Sequence, residues 1–493
     1  MNVDRDERDM AERLFGMLCD RTVGCEVSGD FTLPDGQPEI RRLLAVNERV
    51  LPPAKYVSSS GVECNGTVDY SVLYVGTDGG LWSASFSSEY ELEATAEEIA
   101  ADMSCGVDTV TGVWSEGVVT RVISPKRLSV RSRLSCHIRA YAPVELEPEM
   151  LGEVAVESIR KRYGKANCAE VYSIGSDVLE LSEEIGGLSE DSRVVSADAW
   201  GYVKDIRKSG EGLTADGEIC LKLIVCREDR PAEVIERKLP FSELVECERP
   251  LSNMSCRAFC SVTDIRVNVE EGRALCSLSA VLSAVAEKNI ECSYISDVYS
   301  TERMCECGWT ELSLPVIRGC STGNFSQNER IGLGETGVPE GAELLDIWGS
   351  VRFDGCEYAS GKYELTGKSR YTILWRTEEE YGTSDVELPV KYFVEGDGDD
   401  GSGFDAMGSV ISCRGRMDGE LLRIDAEIGV SADIFGRENI LAVRNVSFGE
   451  VFRKEENRMV IYYPAEGEDA WDVAKKYHVG VEELSAEKNY YIF

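Results

Sequence analysis

Gly66-Thr67-Val68-Asp69-Tyr70-Ser71-Val72-Leu73-Tyr74-Val75 alternates polar and apolar residues behind a glycine, and the chain contains this pattern three times. Gly217-Glu218-Ile219-Cys220-Leu221-Lys222-Leu223-Ile224-Val225 is the second version and Gly367-Lys368-Ser369-Arg370-Tyr371-Thr372-Ile373-Leu374-Trp375 the third. The glycines are evenly spaced, 217 − 66 = 151 and 367 − 217 = 150. Alternation with period two is the signature of a strand that buries one face. Three copies at domain-sized spacing predict a triplicated β module, each copy opening at a glycine turn. Asn65-Gly66 reads as a two-residue hairpin turn.

The same layout surrounds each copy. Ala199-Trp200-Gly201 and Ile347-Trp348-Gly349 precede the second and third. Return strands follow at Leu81 to Leu92, Val234 to Phe241 and Val386 to Val390, the last two carrying Leu239-Pro240 and Leu388-Pro389. Proline inside a strand marks an edge. A second hairpin then closes each module: 112–138, 257–286 and 409–434. Many short strands with Gly and Asp turns predict a mainly β chain of three antiparallel sandwich- or barrel-like modules. Trp82, Trp200, Trp348 and Trp375, at strand spacing, are expected in the cores. Helices are expected at Arg5 to Cys19, at Glu39 to Leu44 and, as a connector, at Glu153 to Tyr163.

A chain of 493 residues is too long for one core. Its 52 basic and 89 acidic residues leave a formal charge of −37. That excess opposes nucleic acid, which needs a basic footprint, and an anionic membrane surface. It suits solubility, as a solvated acidic surface, or a basic protein partner. The first residues lack the basic flank and apolar core of a secretory signal, and no apolar run is long enough to span a bilayer. A cytoplasmic protein without membrane insertion is expected. The 18 cysteines are scattered, many at apolar strand positions, and read as small buried hydrophobes rather than disulfides or zinc ligands.

Catalytic patterns are weak. Gly319-Cys320-Ser321-Thr322-Gly323 matches the nucleophile elbow, but no helix pattern follows it, and the one later histidine is His478. Gly396 to Gly403 carries aspartates without the spacing of a calcium loop. There is no P-loop, no G-x-G-x-x-G and no H-E-x-x-H. No enzyme activity, cofactor or metal is expected.

The last forty residues change character. A short strand at Val460 to Tyr463 and an acidic turn lead into a helix, Ala470-Trp471-Asp472-Val473-Ala474-Lys475-Lys476-Tyr477, with Asp469 as its N-cap. A second short helix, Val479 to Leu484, and a short strand, Tyr490 to Phe493, complete a miniature domain.

Two stretches resemble known families. Phe31-Thr32-Leu33-Pro34-Asp35-Gly36-Gln37-Pro38-Glu39-Ile40 resembles the opening of the SPOCS domain of spore-coat-assembly proteins of Firmicutes. Gly467 to Tyr477 resembles the core of a LysM domain, whose pattern is close to G-D-T-L-W-x-I-A-x-x-Y. The resemblance implies an N-terminal helix (1–22), SPOCS-like modules at 23–165, 166–307 and 308–453, and a LysM-like domain at 454–493. It further implies a morphogenetic scaffold on the mother-cell side of the forespore. Its LysM-like domain would bind a protein, the ATPase of the coat's basement layer. The alternative is peptidoglycan binding, as LysM domains elsewhere do. Either way the candidate binding residues are Gly467, Glu468, Asp469, Trp471, Asp472, Lys475 and Tyr477.

Overall fold

The computed structural model describes residues 14–58, 60–95, 107–144, 147–152, 154–189, 191–227, 230–398, 401–452, 459–486 and 490–492. The fold is mainly β. The first repeat comprises β1 (Leu14–Thr32), β2 (Ile40–Val50), β3 (Ala54–Ser58), β4 (Gly61–Gly76), β5 (Leu81–Thr95), β6 (Asp108–Ser124) and β7 (Arg127–Val144). A short strand, β8 (Glu149–Leu151), leads to the second: β9 (Ile159–Ile185), β10 (Arg193–Lys208), β11 (Gly212–Arg227), β12 (Arg230–Glu246), β13 (Ser255–Glu270) and β14 (Arg273–Ser300). The third is β15 (Arg303–Gly332), β16 (Glu343–Ala359), β17 (Lys362–Arg376), β18 (Tyr381–Glu395), β19 (Gly403–Asp418) and β20 (Leu421–Val451).

All three share one topology. The opening strand of each repeat pairs with its last, giving β1-β7-β6, β9-β14-β13 and β15-β20-β19. The strands between form a meander: β2 and β3 on β4 with β5, then β10-β11-β12, then β16-β17-β18. The two sheets of a repeat bury their alternating faces on each other. In the first, Val68, Tyr70 and Val72 meet Leu128, Val130 and Leu134. In the third, β16 also bonds β19 at Val351–Gly408 and Arg352–Met407, joining both sheets at one edge.

The repeat glycines are not turns. Gly66, Gly217 and Gly367 lie within the central strands β4, β11 and β17. Gly66 faces Tyr90 of β5, and a Cβ there would stand 2.5 Å from the tyrosine ring, whose hydroxyl donates to the Leu51 carbonyl (2.9 Å). Gly217 faces Phe241, and its Cβ would strike that ring and the Tyr202 carbonyl. At Gly367 the obstacle is the Arg352 carbonyl. The first meander strand also bulges beside the glycine, after Val203 in the second repeat and after Phe353 in the third. In the first repeat it breaks there into β2 and β3, at Pro52-Pro53. Glycine is therefore kept where a backbone or an aromatic ring crosses the strand closely. Gly217→Ala should cost about 1–3 kcal/mol through overpacking, read as a lowered urea midpoint. Gly210→Ala, with open space at its Cβ, should leave the midpoint unchanged.

The three repeats close on one another around a common axis. Leu73, Ile224 and Leu374 each lie seven residues beyond their glycine (73 − 66, 224 − 217, 374 − 367), and all three pack in one cluster. The junctions are also tied by polar contacts. First to second, Arg193 donates to the Leu81 carbonyl (2.8 Å) and Ser83 to that of Val195. Second to third, Lys222 bonds Asp346 (2.7 Å) and Trp200 the Ile411 carbonyl (3.1 Å). Third to first, Trp348 bonds Asn47 (3.0 Å) and Thr383 the Leu44 carbonyl (2.6 Å). Trp200 and Trp348, expected in cores, thus serve the junctions, while Trp82 lies half-buried beneath Arg193 and also packs against the core of its own repeat. Trp375 is in a core as expected.

Arg139, Val285 and Asp433 are register equivalents, each twelve residues beyond the turn-proximal residue of its strand (Arg127, Arg273, Leu421), and two of them, Arg139 and Asp433, meet across repeats. Asp433 accepts from Arg139 (3.1 Å) and from Arg257. Arg257 also lies 3.6 Å from Glu287, and Arg139 lies 3.4 Å from Asp405. All but Asp405 are nearly fully buried.

Beyond the sandwiches β14 runs on with β9, and β15 with β20, as two long ribbons. They bury Cys168, Cys292, Leu314 and Ala442 between them, then Ile295, Val298, Val443 and Val446. The residue numbers 165/166 and 307/308, expected as module boundaries, fall inside β9 and β15. Three further expectations change. Residues 5–13 of the N-terminal helix lie outside the described residues, but Leu14 to Cys19 is strand, paired with β7. Ile40 to Leu44 is strand, because β4 supplies its partner. Among the described residues of the connector helix, 154–163, only a single turn, Val156–Ser158, is helical. β12 and β18, which carry the Leu-Pro pairs, are sheet edges as proline requires.

Candidate functional site

The C-terminal unit consists of β21 (Ile461–Tyr462), the helix Ala470–Tyr477, a single 3-10 turn Val481–Glu483, β22 (Ser485–Ala486) and β23 (Tyr491–Ile492), with sheet order β21-β23-β22. The helix starts where the sequence places it. Asp469 accepts from the Asp472 amide (3.0 Å), and Asp472 accepts from that of Asp469 (3.1 Å), a reciprocal capping box. Val473 and Ala474 are fully buried. Lys475 and Lys476 occupy the last turn, where cations suit the helix dipole. His478, in the left-handed region (φ 56°), ends it.

Four of the candidate residues, Asp469, Trp471, Asp472 and Lys475, turn toward the ribbon of β9 and β14. Trp471 Nε1 donates to Asp297 Oδ2 (2.9 Å), and Lys475 Nζ bonds both Asp297 oxygens (2.6 and 2.7 Å). The Trp471 ring stands edge-on to Tyr299, centroids 4.8 Å apart, and the Tyr299 hydroxyl donates to the Val479 carbonyl (2.8 Å). Arg162 holds Asp469 (2.7 Å) and approaches Asp472 (4.0 Å), while Arg160 holds Glu482 (2.5 Å). The other candidates brace the unit itself. Gly467 takes a positive φ (92°) in the turn before the helix. Glu468 accepts from the Tyr462 hydroxyl (2.8 Å) and the Ala465 amide (2.9 Å). Tyr477 packs edge-on to Tyr462.

Asp297, Tyr299, Arg160 and Arg162 carried no signal in the sequence: they are ordinary alternating strand residues, far along the chain from the helix they hold. Asp297→Ala should remove three charge-assisted bonds, about 1.5–3 kcal/mol each at most for such contacts. The expected readout is faster amide exchange in 470–477 with β4 and β11 unchanged.

Beneath this contact Cys305 and Cys307 both point their thiols at the Val298 carbonyl (3.7 and 3.2 Å). The hydrogen bond from Cys305 outweighs burial and brings the Cys307 thiol down to about 7, while Cys305 is pushed up. No disulfide joins the described cysteines. The face of the unit away from the ribbon is open: Ile461 and Tyr463 are 54% and 67% exposed, and Tyr463 packs on Tyr490.

Ser321 lies mid-strand opposite Ala432, not at a strand–helix turn, and its hydroxyl pairs with that of Tyr392 (2.8 Å). His478 instead stacks on Phe452. No group of three or more His, Cys, Asp or Glu side chains among the described residues could hold a metal. No helix among them is long and apolar enough to cross a membrane. Neither a scan of protein-family models nor searches of curated proteins and solved structures returned a match to the chain.

Proposed function

We propose that the chain is a non-enzymatic scaffold of the spore coat or envelope. In this reading it acts from the mother-cell cytoplasm, and its LysM-like unit binds a protein partner, by resemblance the ATPase of the coat's basement layer. One observation carries the preference for protein over glycan. Asp469, Trp471 and Lys475, the polar and aromatic groups best suited to a sugar, are already held by Arg162, Asp297 and Tyr299. What remains open is the edge formed by Ile461, Tyr463 and Tyr490. Exposed tyrosine beside aliphatic residues is the composition of a protein-contact anchor. The charge of −37 favours a partner with a basic face.

The test uses the full chain with purified basement-layer ATPase and, separately, insoluble peptidoglycan. The scaffold reading expects capture by the ATPase, loss of capture on Tyr463→Asp, and no pelleting with peptidoglycan. Pelleting with peptidoglycan that Tyr463→Asp does not affect would favour the glycan reading.

A further inference from the structure

The three junctions around the axis are equivalent in register but not in content. At each, the first residue of a hairpin strand and one position on the opening strand of the next repeat are equivalent in register. At the first junction these positions are Asp108 and Ser173, and the Asp108 carboxylate accepts from the Ser173 amide (3.2 Å). At the third-to-first junction they are Gly403 and Asp20, and Asp20 accepts from His137 (2.9 Å) and Arg437 (3.1 Å). At the second-to-third junction they are Ser255 and Cys320, neither of them acidic. A cavity of about 290 Å³ opens there. Its lining includes Lys208, Arg257, Ser321 and Thr322 and no carboxylate, in a chain with 89 acidic residues.

We propose that this cavity binds a small phosphate-type oxyanion, at register positions where each of the other two junctions carries a carboxylate of the chain's own. Arg257 lines the cavity from a position 6% exposed, with its guanidinium held by Asp433. Lys208 donates to the Met254 carbonyl (2.7 Å), which leaves further ammonium protons to donate. Ser255, Ser321 and Thr322 add hydroxyl donors. Burial pushes the Cys256 and Cys320 thiols up, so the lining carries no thiolate. Behind Arg257 stand Arg139 with Asp433 and Asp405, while burial and the nearby Asp433 push the Glu287 carboxyl up to about 8. Two cations, Lys208 and Arg257, and no carboxylate line the cavity itself, and that balance favours an anion.

The test is thermal unfolding of the full chain in inorganic phosphate against chloride at matched ionic strength, with glycerol phosphate as a second probe. Phosphate should raise the midpoint. Lys208→Met, a change at an exposed mouth residue, should weaken binding at least tenfold. Lys165→Met, removing a lysine paired with Glu291 on the ribbon, should not. Tighter binding of inorganic phosphate marks the free ion as ligand, and tighter binding of glycerol phosphate marks a phosphomonoester. No phosphate-specific rise in the unsubstituted chain, or a rise that Lys208→Met retains, overturns the proposal.

Discussion

Asp433→Ala should destabilise the chain by about 3–5 kcal/mol, the scale expected when one partner of a buried charge cluster is removed. Asp433 is 1% exposed and faces two arginines, from the first and second repeats. Its loss leaves Arg139 and Arg257 buried with less charge to balance them, Arg139 beside Asp405 (3.4 Å) and Arg257 beside Glu287 (3.6 Å). The urea midpoint should fall with little change in slope. The same cluster sets a pH dependence. Burial first, and then the charge of Asp433, raise the Glu287 carboxyl from an ordinary 4.5 to about 8. Between those values the folded chain keeps a proton that the unfolded chain has lost. The Glu287 contribution to stability therefore falls as pH rises from about 4.5 to 8, by up to about 1.4 kcal/mol per pH unit, and is flat above. Glu287→Gln should abolish that part of the slope, measured as the difference between the two proteins.

Leu374→Ala should cost about 2–5 kcal/mol, by lost burial and the cavity left behind. Leu374 is fully buried, and it packs not in the core of its own repeat but against Leu73 and Ile224 of the other two. The cavity would open where three repeats meet, so collapse of one repeat cannot fill it. Ile373→Ala, one residue away, empties the core of the third repeat instead. The two variants should both unfold earlier. Only Leu374→Ala should change its cost when Leu73 is also truncated, because contacting residues couple and distant ones add.

The triplication was legible in the even spacing of Gly66, Gly217 and Gly367, but the role of those glycines was not. Asn65-Gly66 is a local turn signal, whereas the ring that requires Gly66 belongs to Tyr90, on another strand. Met17 and Leu18, like Ile40 and Leu43, have spacings that fit a helix face. Strand pairing with β7 and β4 decided both stretches, and a partner strand leaves no mark on local periodicity. The C-terminal helix was legible because its determinants are local: an Asp cap, apolar residues at helical spacing and lysines in the last turn. The contacts of Trp471 and Lys475 were not, since Asp297 is brought to them only by the long β9–β14 ribbon.

The central claim is that three repeats close into one ring. Arg139 and Asp433 are 294 residues apart and meet only if the first and third repeats join (3.1 Å). A double-mutant cycle with Arg139→Met, Asp433→Leu and the pair tests this directly. A closed ring predicts an interaction energy of roughly 1–3 kcal/mol between them. Additivity to within about 0.5 kcal/mol would mean that the two side chains do not touch, and would contradict the ring.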